Sequence, residues 1–124
     1  MSKKNAKHSV FLTKKSTFPA SHYHEGSLDE VEHMHDFYYE VTLYGVTNEE
    51  GYLLDFRDVE EVLTETVNKK VIYKTLNKVL TLPPTTENLA IWIYDQLHPI
   101  FKDLLYSVKL YETPESWIIY EGDK

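Results

Sequence analysis

Apolar and polar residues alternate along some stretches of the chain and recur at helical spacing along others, and the order of these patterns predicts a fold. From His8 to Phe18, the residues Val10, Phe11 and Leu12 sit among serine, threonine and lysine, as in a half-exposed strand. After a break at Gly26 and Ser27, the run from His33 to Val46 alternates strictly. His33, His35, Phe37, Tyr39, Val41 and Leu43 share one face, and Met34, Asp36, Tyr38, Glu40 and Thr42 the other. Asn48, Glu49, Glu50 and Gly51 form a turn signal, and Asp55 offers an N-cap for a helix over 56–67 carrying Phe56, Val59, Val62, Leu63 and Val67.

Leu82, Pro83 and Pro84 enforce an extended approach, after which Thr85 can cap a second helix with the stripe Leu89, Trp92, Ile93, Leu97 and Ile100. His98 and Pro99 mark its last turn. Leu104 to Tyr111 alternates again, and a turn at Thr113–Ser116 leads to a β-rich segment from Trp117 to Tyr120. The predicted order is β-β-α-α-β-β, an α+β unit with two helices on one face of an antiparallel four-stranded sheet.

Composition narrows this picture. A chain of 124 residues with 42% hydrophobic residues, 4 glycines and 5 prolines reads as a single domain over 1–124. No apolar run approaches the ~18 residues of a membrane span, and Met1 to Asn5 lacks a signal-peptide core, so a cytoplasmic protein is expected. A net charge of −7 opposes contact with nucleic acid or anionic lipid, and Lys3, Lys4, Lys7, Lys14 and Lys15 read as a solvated arm. The absence of cysteine removes disulfides, thiolate ligands and a cysteine nucleophile together.

The candidate chemistry lies in histidine. Four of the six histidines fall within fourteen residues, as the pairs His22, His24 and His33, His35. Residues two apart on a strand point to the same side, so His33 and His35 can offer two imidazoles to one ion. A histidine at another strand end can supply a third, and spacing leaves His22 and His24 open for that place. Three imidazoles without thiolate suit a catalytic metal site with an open position, with zinc the first expectation.

Phe18, Pro19, Ala20, Ser21 and His22, followed by His33, Met34 and His35, resemble the F-x-A-[AS]-H and H-G-H segments of the 6-pyruvoyl- and 6-carboxy-tetrahydropterin synthase family. The likeness continues in Gly51 to Phe56 (G-M-V-x-D-F), Leu76 and Asn77 (L-N), Pro84 to Ala90 (P-T-x-E-N-L-A), and Glu112 and Thr113 (E-T). The resemblance implies the tunnelling fold, a homo-oligomer built as a trimer or hexamer, and a pterin substrate. It assigns zinc to His22, His33 and His35, and pterin binding to Glu112 with Thr86 and Glu87. It also implies that Glu112 and the histidines of different subunits share one pocket.

The chain departs from the family where protons move. Asp29 stands where the synthases carry cysteine, and Ile72 and Tyr73 replace their Asp-His pair. The acidic stretch Asp29, Glu30 and Glu32 offers a replacement base, with Asp29 and Glu30 the catalytic candidates. Tyr73, whose phenol ordinarily titrates near pH ~10, reads as structural, and Met34 as a packing residue. The expected function is a zinc-dependent lyase-like reaction on a dihydropterin side chain, dihydroneopterin or its triphosphate. The alternative is a silent paralogue that binds metal and pterin.

Overall fold

The computed structural model describes residues 6–25 and 31–123. It contains the expected antiparallel four-stranded sheet, in the order β1 (Ser9–His22), β2 (His33–Val46), β3 (Leu105–Thr113) and β4 (Ser116–Tyr120). One sheet face is covered by α1 (Phe56–Leu63), which runs through a π-helical turn (Thr64–Asn68) into α2 (Lys69–Val71), then by α3 (Leu76–Val79) and α4 (Thr86–Phe101). Asp55 and Thr85 cap α1 and α4 as expected, accepting from Arg57 N and Asn88 N.

Alternation decides which face is buried. Leu12 pairs with Leu43, Phe18 with Phe37 and Ala20 with His35 across β1 and β2, while Tyr39 and Val41 pair with Leu110 and Val108 across β2 and β3. Phe18, Ala20, Tyr39, Val41, Leu43, Val108 and Leu110 form the sheet side of the core. The opposite face is aromatic and charged, with Tyr38, Tyr111 and Trp117 directly opposed across three strands. Lys15 and Lys109 approach the Glu40 carboxylate there at 4.0 and 3.9 Å, so Lys14 and Lys15 belong to a strand and not to a solvated arm.

The elements differ from the expected ones in length. β1 continues past Phe18 to His22, because Phe18, Ala20 and His22 prolong the buried face and Pro19 is tolerated in an edge strand. The first helical run continues past Val67 to Val71. Its buried residues Val59, Leu63, Val67 and Val71 recur every four positions, more than the ~3.6 residues of an α-turn. The wider π turn absorbs the mismatch and keeps all four on the core. In α4 the buried stripe ends on Phe101, while Ile100 is exposed.

The π turn also delivers Asn68 to the sheet. The buried Tyr39 hydroxyl donates to Asn68 Oδ1 at 2.7 Å, and Asn68 Nδ2 donates to Ser16 Oγ at 2.9 Å. Burial pushes the Tyr39 phenol pKa up. Asn68→Leu strands that hydroxyl and should cost about 1–3 kcal/mol in urea unfolding. The double variant Tyr39→Phe with Asn68→Leu should cost less than the two single changes summed, since it removes both sides of the bond.

Candidate metal and ligand site

The β1–β2 pairing that buries the core also assembles the histidines. His22, the last residue of β1, lies opposite His33, the first of β2, and His35 lies opposite the small Ala20. One ligand nitrogen from each of His22, His33 and His35 lies within 4.8 Å of the others. An ion with nitrogen ligands at about 2.1 Å can draw such a set together by side-chain rotation. Phe37 packs beneath, its ring 5.4 Å from that of His22 and 6.1 Å from that of His35.

The hydrogen bonds around the rings fit a metal. His33 Nδ1 lies 2.7 Å from the Val31 carbonyl, which makes Nδ1–H the donor and leaves Nε2 as the basic nitrogen. His22 is buried beside Pro84, and its Nδ1 has no hydrogen-bond partner among the described residues. A buried imidazole nitrogen without a partner is costly, and a metal bond satisfies it. Desolvation is the main cause that lowers the His22 pKa, with His24, His35 and His33 adding to it. The neutral form so favoured is the form that ligates. His24 packs edge-on to His22, ring centroids 5.0 Å apart, and lies outside the group of three.

Glu112 completes the site from β3. It follows Tyr111, which pairs with Tyr38, and so falls beside Phe37 and His35 on the histidine face. The Thr86 hydroxyl, in the first turn of α4, donates to the Glu112 carboxylate. A small hollow is lined by His22, His35, Asp36, Phe37, Tyr111 and Glu112. A larger one of about 500 Å³ lies alongside and shares Asp36, Tyr111 and Glu112 with it. Glu112 and the histidines of a single chain therefore meet, which overturns the expectation that different subunits supply them. The reason is sheet register: β3 is the direct neighbour of β2, so the two sets cannot be separated.

Glu87 is exposed at the second position of α4 and lines neither hollow. Asp29 and Glu30, the proposed base, and the Gly26–Ser27 break lie outside the described residues. Glu32 is described, and its carboxylate accepts from Thr75 Oγ1 at 3.1 Å. Ile72 and Tyr73 are exposed, and Tyr73 adopts the left-handed region at φ 58°. Met34 is exposed on the face away from the histidines, where little packs on it. Sequence reasoning missed Asp36, Pro84 and Asn77. Asp36 was hidden by its place on the opposite face in the alternation, and the place of Pro84 beside His22 carries no sequence signal. Asn77 stood in a recognised motif but without a role.

The chain as a whole is similar to proteins of one family. The family model described as 6-pyruvoyl tetrahydropterin synthase matches residues 11–123. A 6-pyruvoyl tetrahydrobiopterin synthase of Dictyostelium discoideum is 34% identical over 131 aligned positions, covering 92% of this chain and 97% of the relative. A dihydroneopterin monophosphate aldolase of Pyrococcus furiosus is 34% identical over 96 positions, covering 77% of this chain and 79% of the relative. Among solved structures, the 6-pyruvoyl tetrahydropterin synthase of Caenorhabditis elegans superposes with a TM-score of 0.80 at 22% identity, covering 94% of this chain and 97% of that one.

The lowered His22 pKa makes a prediction for metal-free protein. Below the unfolded value near ~6.5, the unfolded chain takes up a proton that the folded ring resists, so stability falls as pH falls. Urea midpoints of chelator-treated protein should drop between about pH 7.5 and 5.5, and His22→Gln should flatten that drop.

Proposed function

Because the chain belongs to the 6-pyruvoyl tetrahydropterin synthase family, we propose that it is a zinc-dependent, lyase-like enzyme acting on the hydroxylated side chain of a dihydropterin. The observation that carries this reading is the convergence of His22, His33 and His35, with the orphaned His22 Nδ1, beside the Glu112 carboxylate. Zinc held by the three imidazoles would supply Lewis acidity to oxygen atoms of the substrate side chain. Three neutral histidines would hold such an ion without filling the four ligand places that zinc commonly takes, so a substrate oxygen could serve as the fourth.

Glu112 lines the small hollow together with His22 and His35, and this suits a bicyclic ring held at the carboxylate with its side chain directed to the histidines. A pterin presents a ring N–H and an exocyclic amine side by side, and a carboxylate accepts both. Thr86 orients that carboxylate by donating to it. Glu87, next in sequence, is proposed only as a negative charge at the positive end of α4. The proton of the side-chain hydroxyl would pass to the acidic stretch before His33. Asp29 and Glu30 are the proposed bases, since cysteine is absent and Ile72 and Tyr73 cannot replace an Asp-His pair.

That same loss favours a second reading, a paralogue that binds metal and pterin without turnover. Incubating zinc-loaded protein with dihydroneopterin, its monophosphate and its triphosphate separates the two. Product from any of them supports the enzyme, and tight binding with no turnover over hours at high protein concentration supports the paralogue. Glu112→Ala should weaken pterin binding on the order of 10–100-fold, the effect of losing a charge-assisted bond of ~1.5–3 kcal/mol. His33→Ala with His35→Ala should abolish stoichiometric metal.

The protein is further proposed to assemble as a homo-oligomer, a trimer or hexamer. β1 and β4 are the sheet edges, and joining them between copies around an axis would remove both. The exposed Tyr38 and Trp117 would then line the interior face. Light scattering at micromolar concentration should give a mass above the monomer. Mixing His33→Ala and Glu112→Ala proteins under subunit exchange should restore no complete site, because one chain carries both halves.

A further inference from the structure

Beyond His22 the ladder between β1 and β2 ends, since His22 and His33 are the last pair. The chain nevertheless continues through Tyr23 to His24 with its backbone bonded. Tyr23 N–H donates to Asn77 Oδ1 at 3.1 Å, and Asn77 Nδ2 donates to the Tyr23 carbonyl at 2.9 Å. The Asn77 amide thus does for Tyr23 what a neighbouring strand would do, with one donor and one acceptor. The preceding residues are gripped from the same side: Tyr73 N–H donates to the Pro19 carbonyl at 2.7 Å and Ser21 N–H to the Lys74 carbonyl at 2.9 Å. Ser21 and Thr75 form a parallel bridge. The left-handed turn at Tyr73 points successive backbone groups of 73 and 74 at β1.

Asn77 is itself anchored, because its neighbour Leu76 is fully buried in the core at the start of α3. We propose that Asn77 is a positioning residue of the metal site, fixing the backbone at Tyr23 and through it the ring of His22. This rests on the metal-binding reading given above. His22 is the ligand most in need of such support. Its backbone is held by β2 at one residue and would otherwise be loose at the next, while its ring lies buried beside Pro84 with Nδ1 lacking a partner among the described residues. Outer groups that orient a ligand typically change metal affinity about 10–100-fold when removed.

The test compares wild type, Asn77→Ala, Asn77→Asp and the double variant His33→Ala with His35→Ala. Zinc affinity is read by competition with a chromophoric chelator, site geometry by the visible spectrum of the cobalt-loaded protein, and local order by amide exchange at Tyr23 in metal-free protein. Asn77→Ala should bind zinc about 10–100-fold more weakly, with an altered cobalt spectrum. Its Tyr23 amide should exchange faster, while amides of β2 and β3 keep their protection. Asn77→Asp still accepts from Tyr23 N–H but cannot donate to the carbonyl, and its affinity should fall between.

Wild-type affinity with an unchanged cobalt spectrum in a folded Asn77→Ala protein would overturn the proposal. Should Asn77→Ala not fold, wild-type affinity in Asn77→Asp overturns it equally. Failure of the underlying reading shows itself separately. In that case wild type binds no zinc, or the double histidine variant binds it as wild type does, whatever Asn77 does to Tyr23 exchange.

Discussion

The register between β1 and β2 is the constraint on which the site depends. Leu12 faces Leu43, Phe18 faces Phe37, Ala20 faces His35 and His22 faces His33, all on the helix side of the sheet. Side chains alternate with a period of two, so a slip of one residue would send the apolar set to solvent and the imidazoles with it. The same pairing energy that selects the core therefore brings together three histidines drawn from two strands. A histidine cluster built this way needs no separate scaffold; it stands at the last pair of the β1–β2 ladder.

That economy leaves polar groups where the core gives out. His22 is buried beside Pro84, and its Nδ1 has no partner among the described residues. The chain answers by flanking β1 on its open edge with residues 73–77, which take over backbone hydrogen bonds that β2 cannot reach. A left-handed tyrosine is tolerated in this segment, although bulky residues resist that conformation, because bonds to Pro19 and Ser21 hold the backbone on either side of it. Backbone strain and an orphaned ring nitrogen thus lie on the two sides of one strand end.

The site combines retained and altered chemistry. The groups suited to holding a cation and a heterocycle, three imidazoles and a carboxylate, converge in one chain. The resemblance sets Asp29, Ile72 and Tyr73 at the positions of the groups that move protons in the synthases. Ile72 and Tyr73 stand exposed and away from the hollow lined by His22 and Glu112. Binding and proton transfer make separate demands on a protein, the first for converging partners and the second for a group of matched pKa.

Much of this was readable along the chain. Strict alternation over 33–46 identified β2 and its buried face, and Asp55 and Thr85 marked helix starts through side chains that accept backbone N–H groups. The pairing of histidines at a spacing of two was likewise a local signal, since a strand puts such residues on one side. Other features depended on residues distant in sequence and so left no local trace. The choice of His22 over His24 follows from which residue ends up opposite His33. The union of Glu112 with the histidines in one chain follows from β3 lying next to β2, a neighbour chosen by packing of the whole sheet. The extension of the first helical run to Val71 needed a π turn set by core contacts at Val67 and Val71, and Asn77 found Tyr23 across more than fifty residues. Periodicity and caps are properties of neighbouring residues and are written locally; register between strands, ring environment and surrogate backbone partners exist only once distant segments share a surface.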